Sequence, residues 1–258
     1  MVAYMEHKDL ANQVIGPERA VKIGDGVHRV EDLIRQAEGA AGRPEGSVAL
    51  LAATKTRDVG EIMAAVDAGI RLIGENRPQE VAAKAQGIAV QSARRGVDLG
   101  FHLIGQLQAN KINKVLHQVD TVESVDNLDL ARKIAVRAQA GGLTMGVYLE
   151  VNESGEESKS GCDPDSAFDL ACTLAGLEGL ELDGLMTVGA HVDDESTVRR
   201  GFSHLRGLCE AIRNSGQAGT GTCRTLSMGM TDDLAWAVAE GSTQVRVGRA
   251  IFGERAFI

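Results

Sequence analysis

A primary amine at the open end of an apolar segment is a potential nucleophile, and residues 50–58, LLAATKTRD, place one there. Leu50 to Ala53 are all apolar, and Lys55 follows with no turn residue to explain the switch. Desolvation or a neighbouring cation would draw its pKa below the ordinary ~10.4, so that it could attack a carbonyl and form a Schiff base. An exposed lysine opening a loop is the plainer alternative. A second group of residues suits an anion. LSMGMTDD (226–233) runs through Ser227, Gly229 and Thr231 into a helical pattern, and VRVGRAIFG (245–253) places Gly248 two residues after Arg246. Glycine lets a backbone come close to a ligand, and N–H groups at a helix start attract negative charge.

These residues need elements to position them. Short apolar runs alternate with amphipathic segments along the chain. The runs predict strands over 47–54, 70–76, 100–106, 121–126, 144–151, 180–188, 225–230 and 243–252. Between them, RDVGEIMAAVDAG aligns Val59, Ile62, Met63 and Val66 on one face and closes on Gly69. Leu128, Leu130, Ile134 and Ala138 have roughly helical spacing, and TDDLAWAVAEG starts with residues that favour a helix N-terminus. Eight strands separated by seven helices, in a chain of 258 residues, predict a (β/α)8 TIM-type barrel. A doubly wound sheet would carry a dinucleotide fingerprint after its first strand, and ATKTRDVG is not one. An additional helix is expected over 24–42. Residues 1–20 read as a loose extension, and 21–258 as a single barrel domain without a Pro-, Gly- or Ser-rich linker.

Composition narrows the partners. A formal net charge of -9 with 3% aromatic residues argues against nucleic acid. An anionic ligand must then be held by local donors. Cys162, Cys172, Cys209 and Cys223 show no C-x-x-C and no zinc-finger spacing, so they read as reduced packing thiols and no metal site is expected. No segment has the length of a membrane span or the shape of a leader, which predicts a cytoplasmic protein. A monomer is expected, since no exposed apolar helix face declares an interface.

Function in such barrels sits at the C-terminal ends of the strands. There the sequence puts Lys55, Asn76, His102 with Gln106, Ser124 with Asp126, Asn152, Met186 with Thr187, Ser227 with Gly229, and Arg246 with Gly248. Each alone could be a satisfied core polar group; their recurrence over the strands favours a site. Turns after the seventh and eighth strands are the recurrent phosphate position, although Ser227 and Thr231 could equally cap the next helix. A phosphate there and a lysine across the mouth suggest pyridoxal 5'-phosphate, whose aldehyde takes an amine and whose phosphate takes N–H donors. Lys111, Lys114 and Lys133 lie in helical patterns and read as solvated.

With these residues in place the chain resembles the pyridoxal phosphate homeostasis protein family, single-domain relatives of the N-terminal barrel of alanine racemase (fold type III). The resemblance covers about Val48 to Arg255. It rests on TKT (54–56), GENRPQE (74–80), FHLIGQLQANK (101–111), VESVD (122–126), NESGEESKSG (152–161), GLMTV (184–188), LSMGMTDD (226–233) and GSTQVRVGRAIFGER (241–255). It implies that Lys55 holds the cofactor as a Schiff base. Ser227, Gly229 and the Gly248–Arg249 turn would hold the phosphate, largely through backbone donors. Arg246 would face the pyridine nitrogen, disfavouring ring protonation, while Asn76, His102, Ser124 and Met186 would line the ring. Arg249 departs from the small hydroxyl residue usual in the family, which alters the contacts unless only its N–H is used. Lys159, in SKSG, reads as a rim lysine, with a second attachment site as the alternative.

Three functions compete. The family implies a non-catalytic protein that buffers or delivers pyridoxal phosphate, with apoenzymes that use the cofactor as possible recipients. An amino-acid racemase would need an acid/base on each face of its substrate. The only tyrosines are Tyr4 and Tyr148, and the sequence leaves no room for the racemases' second domain, so this reading is disfavoured. An aldolase-like barrel using Lys55 would need a carboxylate partner such as Asp126 or Glu75.

Overall fold

Parallel strands covered on both faces must be short, apolar and separated by helices long enough to return the chain. That is the architecture found. The structure, a computed structural model, describes residues 9–156, 160–189 and 194–254. Eight strands close into one parallel barrel in sequence order: β1 (Ala49–Ala53), β2 (Leu72–Glu75), β3 (Gly100–Leu103), β4 (Thr121–Val125), β5 (Met145–Glu150), β6 (Leu180–Met186), β7 (Thr225–Ser227) and β8 (Gln244–Val247). β8 pairs with β1, Leu51 opposite Arg246, which closes the ring.

The helices are α1 (Pro17–Ala40), α2 (Val59–Asp67), α3 (Pro78–Arg95), α4 (Ile112–Val115), α5 (Leu128–Ala140), α6 (Pro164–Ala175), α7 (Glu195–Arg213), α8 (Leu234–Ala239) and α9 (Arg249–Phe252). Their starts follow local chemistry. Asp58 and Glu61 form a reciprocal capping box on α2, the Asn127 side chain accepts from the Leu130 N–H to start α5, and Pro78 opens α3. The main core lies between barrel and helices, where Leu103, Val122, Val147, Leu149, Leu182 and Leu185 of the strands are buried along with Ile62, Val81, Ile134 and Phe202 of the helices. All four cysteines are buried free thiols.

Two boundaries differ from the sequence pattern. α1 begins at Pro17, seven residues before the expected helix, with proline at its start, acidic Glu18 in its first turn, and Ile23 extending the buried stripe of Gly26, Val27 and Val30 by a turn. Ahead of it, Leu10 is buried and the carbonyls of Leu10 and Asn12 accept from the N–H groups of Val59 and Gly60 at the start of α2. Residues 1–8, which include Tyr4, lie outside the described residues. At the other end, the run expected as one strand over 243–252 divides. β8 stops at Val247, Gly248 accepts from the N–H groups of Ile251 and Phe252, and the chain winds into α9. An apolar run of this length suits a strand or a helical turn equally; here Ile251 and Phe252 go to the core beside α1. Gly26 permits that approach, since a Cβ on it would lie 2.4 Å from the Ile251 carbonyl oxygen.

Candidate functional site

The interior of the barrel is polar and organised around one carboxylate. Glu123, on β4 and fully buried, receives hydrogen bonds on both oxygens. Its Oε1 takes the Gln244 Nε2 donor at 2.7 Å and lies 2.6 Å from His102 Nδ1, and its Oε2 accepts from the Ser227 hydroxyl at 2.6 Å. Ser227 Oγ in turn accepts from Gln244 Nε2 at 3.0 Å and from Arg246 Nη1 at 2.8 Å. One donor and two acceptor positions exhaust a hydroxyl, so Ser227 has no side-chain capacity left for a ligand. Arg246 also donates to the carbonyl of Ser227 at 2.6 Å and to that of Thr187 at 2.7 Å. Burial pushes the Glu123 carboxyl up, but His102, Arg246 and Ser227 together outweigh it and hold the group below its ordinary value. Burial conversely lowers Arg246, against the opposing pull of Glu123, Asp233 and Glu150.

Lys55 stands half-buried two residues past the end of β1. Its neighbours are tightly held. Thr54 Oγ1 donates to Glu75 Oε1 at 2.7 Å, and the Thr56 N–H donates to Glu80 Oε2 at 2.7 Å. Behind them Lys84 of α3, wholly buried, donates to the Thr54 carbonyl at 3.0 Å, to Glu75 at 2.5 Å and to Glu80 at 2.9 Å. Thr56 has φ +67°, and among the described residues it is the one non-glycine in that region.

The turns after β7 and β8, which have the character of an anion cradle, begin beside the end of β1 and not across the mouth as expected, because β8 pairs with β1. Gly229 has φ +96°, and a Cβ there would lie 2.5 Å from the Ala237 Cβ. A Cβ on Gly248 would sit 3.0 Å from the Ala53 carbonyl oxygen. Among the described residues the N–H groups of Gly229 and Arg249 take no protein acceptor. These are the features that a phosphate requires.

The residues singled out in the sequence are thus dispersed over the C-terminal ends of the strands, with Asn76 half-buried after β2 and Met186 buried at the end of β6. His102, Ser227 and Arg246 are brought together. Two others lie apart from that network: Ser124 donates instead to the Gly105 carbonyl at 2.7 Å, and the Arg249 side chain is exposed. Gln106 falls beyond β3, is exposed and donates to Ser160. Lys159 lies outside the described residues. Glu123, Gln244, Glu80 and Lys84 were not singled out in the sequence, and Glu75 was considered there only as a carboxylate partner for an aldolase-like Lys55. Glu123 is adjacent to Ser124, and the register shift in β4 between Val122 and Val125 breaks the alternation that would identify the inward residue.

Glu150, at the end of β5, adds a titratable group to this mouth. Burial, reinforced by Asp126 and opposed by Arg246, pushes it up to about 7. The folded state therefore holds a proton that the unfolded state, near the ordinary 4.5, releases. This group accordingly makes stability fall as pH rises from about 4.5 to about 7, an effect on the order of 3 kcal/mol. Glu150→Gln is expected to remove that fall, which urea unfolding at pH 5 and pH 8 would measure. Parallel pH dependence in variant and parent would contradict it.

Residues 29–256 match the family model described as alanine racemase, N-terminal domain. The chain is 37% identical over 235 residues to the pyridoxal phosphate homeostasis protein of Pseudomonas aeruginosa, covering 91% of this chain and 96% of that one. Among solved structures, one described as an unknown protein from Bifidobacterium adolescentis is 64% identical with TM-score 0.94, over 95% of this chain and all of the other. PipY of Synechococcus elongatus PCC7942, solved with PLP bound, is 30% identical with TM-score 0.69, over 85% of this chain and all of that one.

Proposed function

This chain belongs to the alanine racemase N-terminal-domain family and, within it, to the pyridoxal phosphate homeostasis proteins; from that premise we propose that it binds pyridoxal 5'-phosphate (PLP) through Lys55 and buffers or delivers it within the cell. The observation that carries the reading is the pairing of a half-buried lysine just past β1 with glycine turns after β7 and β8 whose Gly229 and Arg249 N–H groups take no acceptor among the described residues. Bound PLP supplies an aldehyde for a lysine amine and an electron-withdrawing ring. The residues around the mouth would hold it rather than turn substrates over. Backbone N–H groups at Gly229 and Arg249 would take the phosphate, because the Ser227 hydroxyl is already fully committed to Glu123, Gln244 and Arg246.

Arg246 supports a non-catalytic role. Three of its donors are spent on Ser227 and Thr187, which fixes the guanidinium with its charge inside the barrel. If Arg246 faced the ring nitrogen of bound PLP, as the resemblance implies, this permanent cation would disfavour protonation of that nitrogen and weaken the ring as an electron sink. Asn76, His102 and Met186 remain the residues proposed to flank the ring, with Ser124 acting on it through the loop at Gly105. The recipients would be PLP-dependent apoenzymes, and the protein would act as a monomer in the cytoplasm. Among the described residues no helix is long and apolar enough to cross a membrane.

The test is to incubate the protein with PLP, remove the excess, reduce with borohydride and map the modified peptide. Label on Lys55 is expected; label on Lys159 alone would relocate the site. Amino acids offered to the loaded protein should show no racemisation or elimination above free PLP. Sustained turnover of any of them would overturn the non-catalytic half of the reading.

A further inference from the structure

The buried charges beside Lys55 are costly and unexplained by packing. Lys84, Glu75 and Glu80 are each no more than 1% exposed; Glu75 Oε2 and Glu80 Oε1 find no hydrogen-bond partner, although the half-buried Arg77 pairs with Glu80 Oε1 at 3.6 Å. Burial pushes the Glu75 carboxyl up, with Lys84 opposing and Glu80 adding to it. Replacing such a cluster by apolar side chains is commonly neutral or stabilising, so stability alone gives little reason to keep it. Its contacts converge on one short segment: the carbonyl and hydroxyl of Thr54 and the N–H of Thr56, the residues on either side of Lys55. The same segment carries the left-handed backbone of Thr56, φ +67°, which a β-branched residue adopts only under constraint.

We propose that Glu80, braced by Lys84 and Glu75, is a positioning residue that holds the Lys55 turn in its strained conformation and thereby aims the Lys55 amine into the barrel mouth. Glu80 Oε2 is shared by Thr56 N–H and Lys84 Nζ, so this one oxygen ties the turn to the buried cation. Released, Thr56 would leave the left-handed region, which disfavours a non-glycine residue by roughly 1–2 kcal/mol, and the amine would point elsewhere most of the time. The inference rests on Lys55 being the cofactor lysine, but the conformational part can be read without the cofactor.

The variants are Glu80→Met, which fills the space without an acceptor, Glu80→Gln, which keeps the shared oxygen, and Glu80→Met combined with Thr56→Gly. Two readouts apply. In the apoprotein, trace acetylation with acetic anhydride across pH, quantified by peptide, reports the reactivity profile of each lysine amine. In the full reaction, absorbance follows the rate at which added PLP attaches to Lys55. Glu80→Met is expected to slow attachment about tenfold and to change the acetylation profile of Lys55. Glu80→Gln should stay within about threefold of the parent, and Thr56→Gly should restore most of the loss, because glycine occupies the left-handed region freely. A rate in Glu80→Met equal to the parent, or a double variant as slow as the single one, would overturn the proposal. Should Glu80→Met not fold, as judged by its near-ultraviolet circular dichroism, Glu80→Ala takes its place. Should neither fold, Glu80→Gln decides alone: a tenfold loss with the oxygen retained sinks the idea, and a near-parental rate supports it. If the parent protein fails to attach PLP at Lys55, the functional reading fails, while the acetylation profiles still decide whether Glu80 sets the amine.

Discussion

Lys55→Ala is expected to leave the protein colourless after incubation with PLP and desalting, with an apparent affinity weaker by at least about a hundredfold, on the order of 3 kcal/mol. The proposed phosphate cradle after β7 and β8 is untouched by this change, so weak reversible binding should survive and be measurable by equilibrium dialysis. The comparison that isolates chemistry from charge is Lys55→Arg. A guanidinium keeps the cation at the end of β1 but does not condense with an aldehyde under these conditions, so it should behave like the alanine variant. Colour retained by either variant would place the attachment elsewhere. Stability should change little, since Lys55 is half-exposed and lies outside the main core.

The second large effect is at Glu123. Removing this carboxylate strips four groups of a partner or counter-charge: His102, Ser227, Gln244 and the buried Arg246. Breaking a buried ionic network by deleting one member typically destabilises by about 3–5 kcal/mol, and Glu123→Ala should fall in that range by urea unfolding at pH 7. Glu123→Gln, with an acceptor left for one or two of the donors, should lose less. The pH dependence has a definite sign. The folded pKa lies below the ordinary 4.5, so the contribution of Glu123 is complete above that value and is lost as pH falls through the lowered one. The parent should therefore lose stability in acid more steeply than Glu123→Gln. Equal slopes below pH 4.5, or a Glu123→Ala protein as stable as the parent, would show that the network is not holding the interior together.

The barrel was readable because each strand is a short apolar run and each return segment carries its own start and stop signals, such as Asp58 with Glu61 or Asn127 before Leu130. The position of Lys55 past β1 was readable for the same reason: it breaks a run whose place in the fold fixes where it emerges. What was hidden depends on contacts between distant strands. Glu123 and Gln244 are 121 residues apart, and nothing local marks either as central. Lys84 has the look of a surface lysine on an amphipathic helix, and only the closing of α3 against β1 and β2 puts it out of solvent. The irregular register of β4 between Val122 and Val125 hides which of Glu123 and Ser124 faces the interior. The division of 243–252 into β8 and α9 was hidden because hydrophobicity alone does not distinguish a strand from one helical turn.

The closure of β8 on β1 also sets a timetable for synthesis. A chain made from its N-terminus completes Lys55 roughly 190 residues before Arg246 and Gly248 exist. Three early arginines wait as well: Arg43, Arg57 and Arg19 donate to the carbonyls of Ser242, Gly253 and Phe252. Until those late residues emerge, β1 and β7 are open edges, and both halves of the mouth are unpaired. Such long-range closure is slow to fold. On the proposed binding mode, a nascent chain would expose Lys55 for most of its elongation without a cradle to accompany it, and selective capture of an aldehyde phosphate would begin only when translation has delivered the last stave.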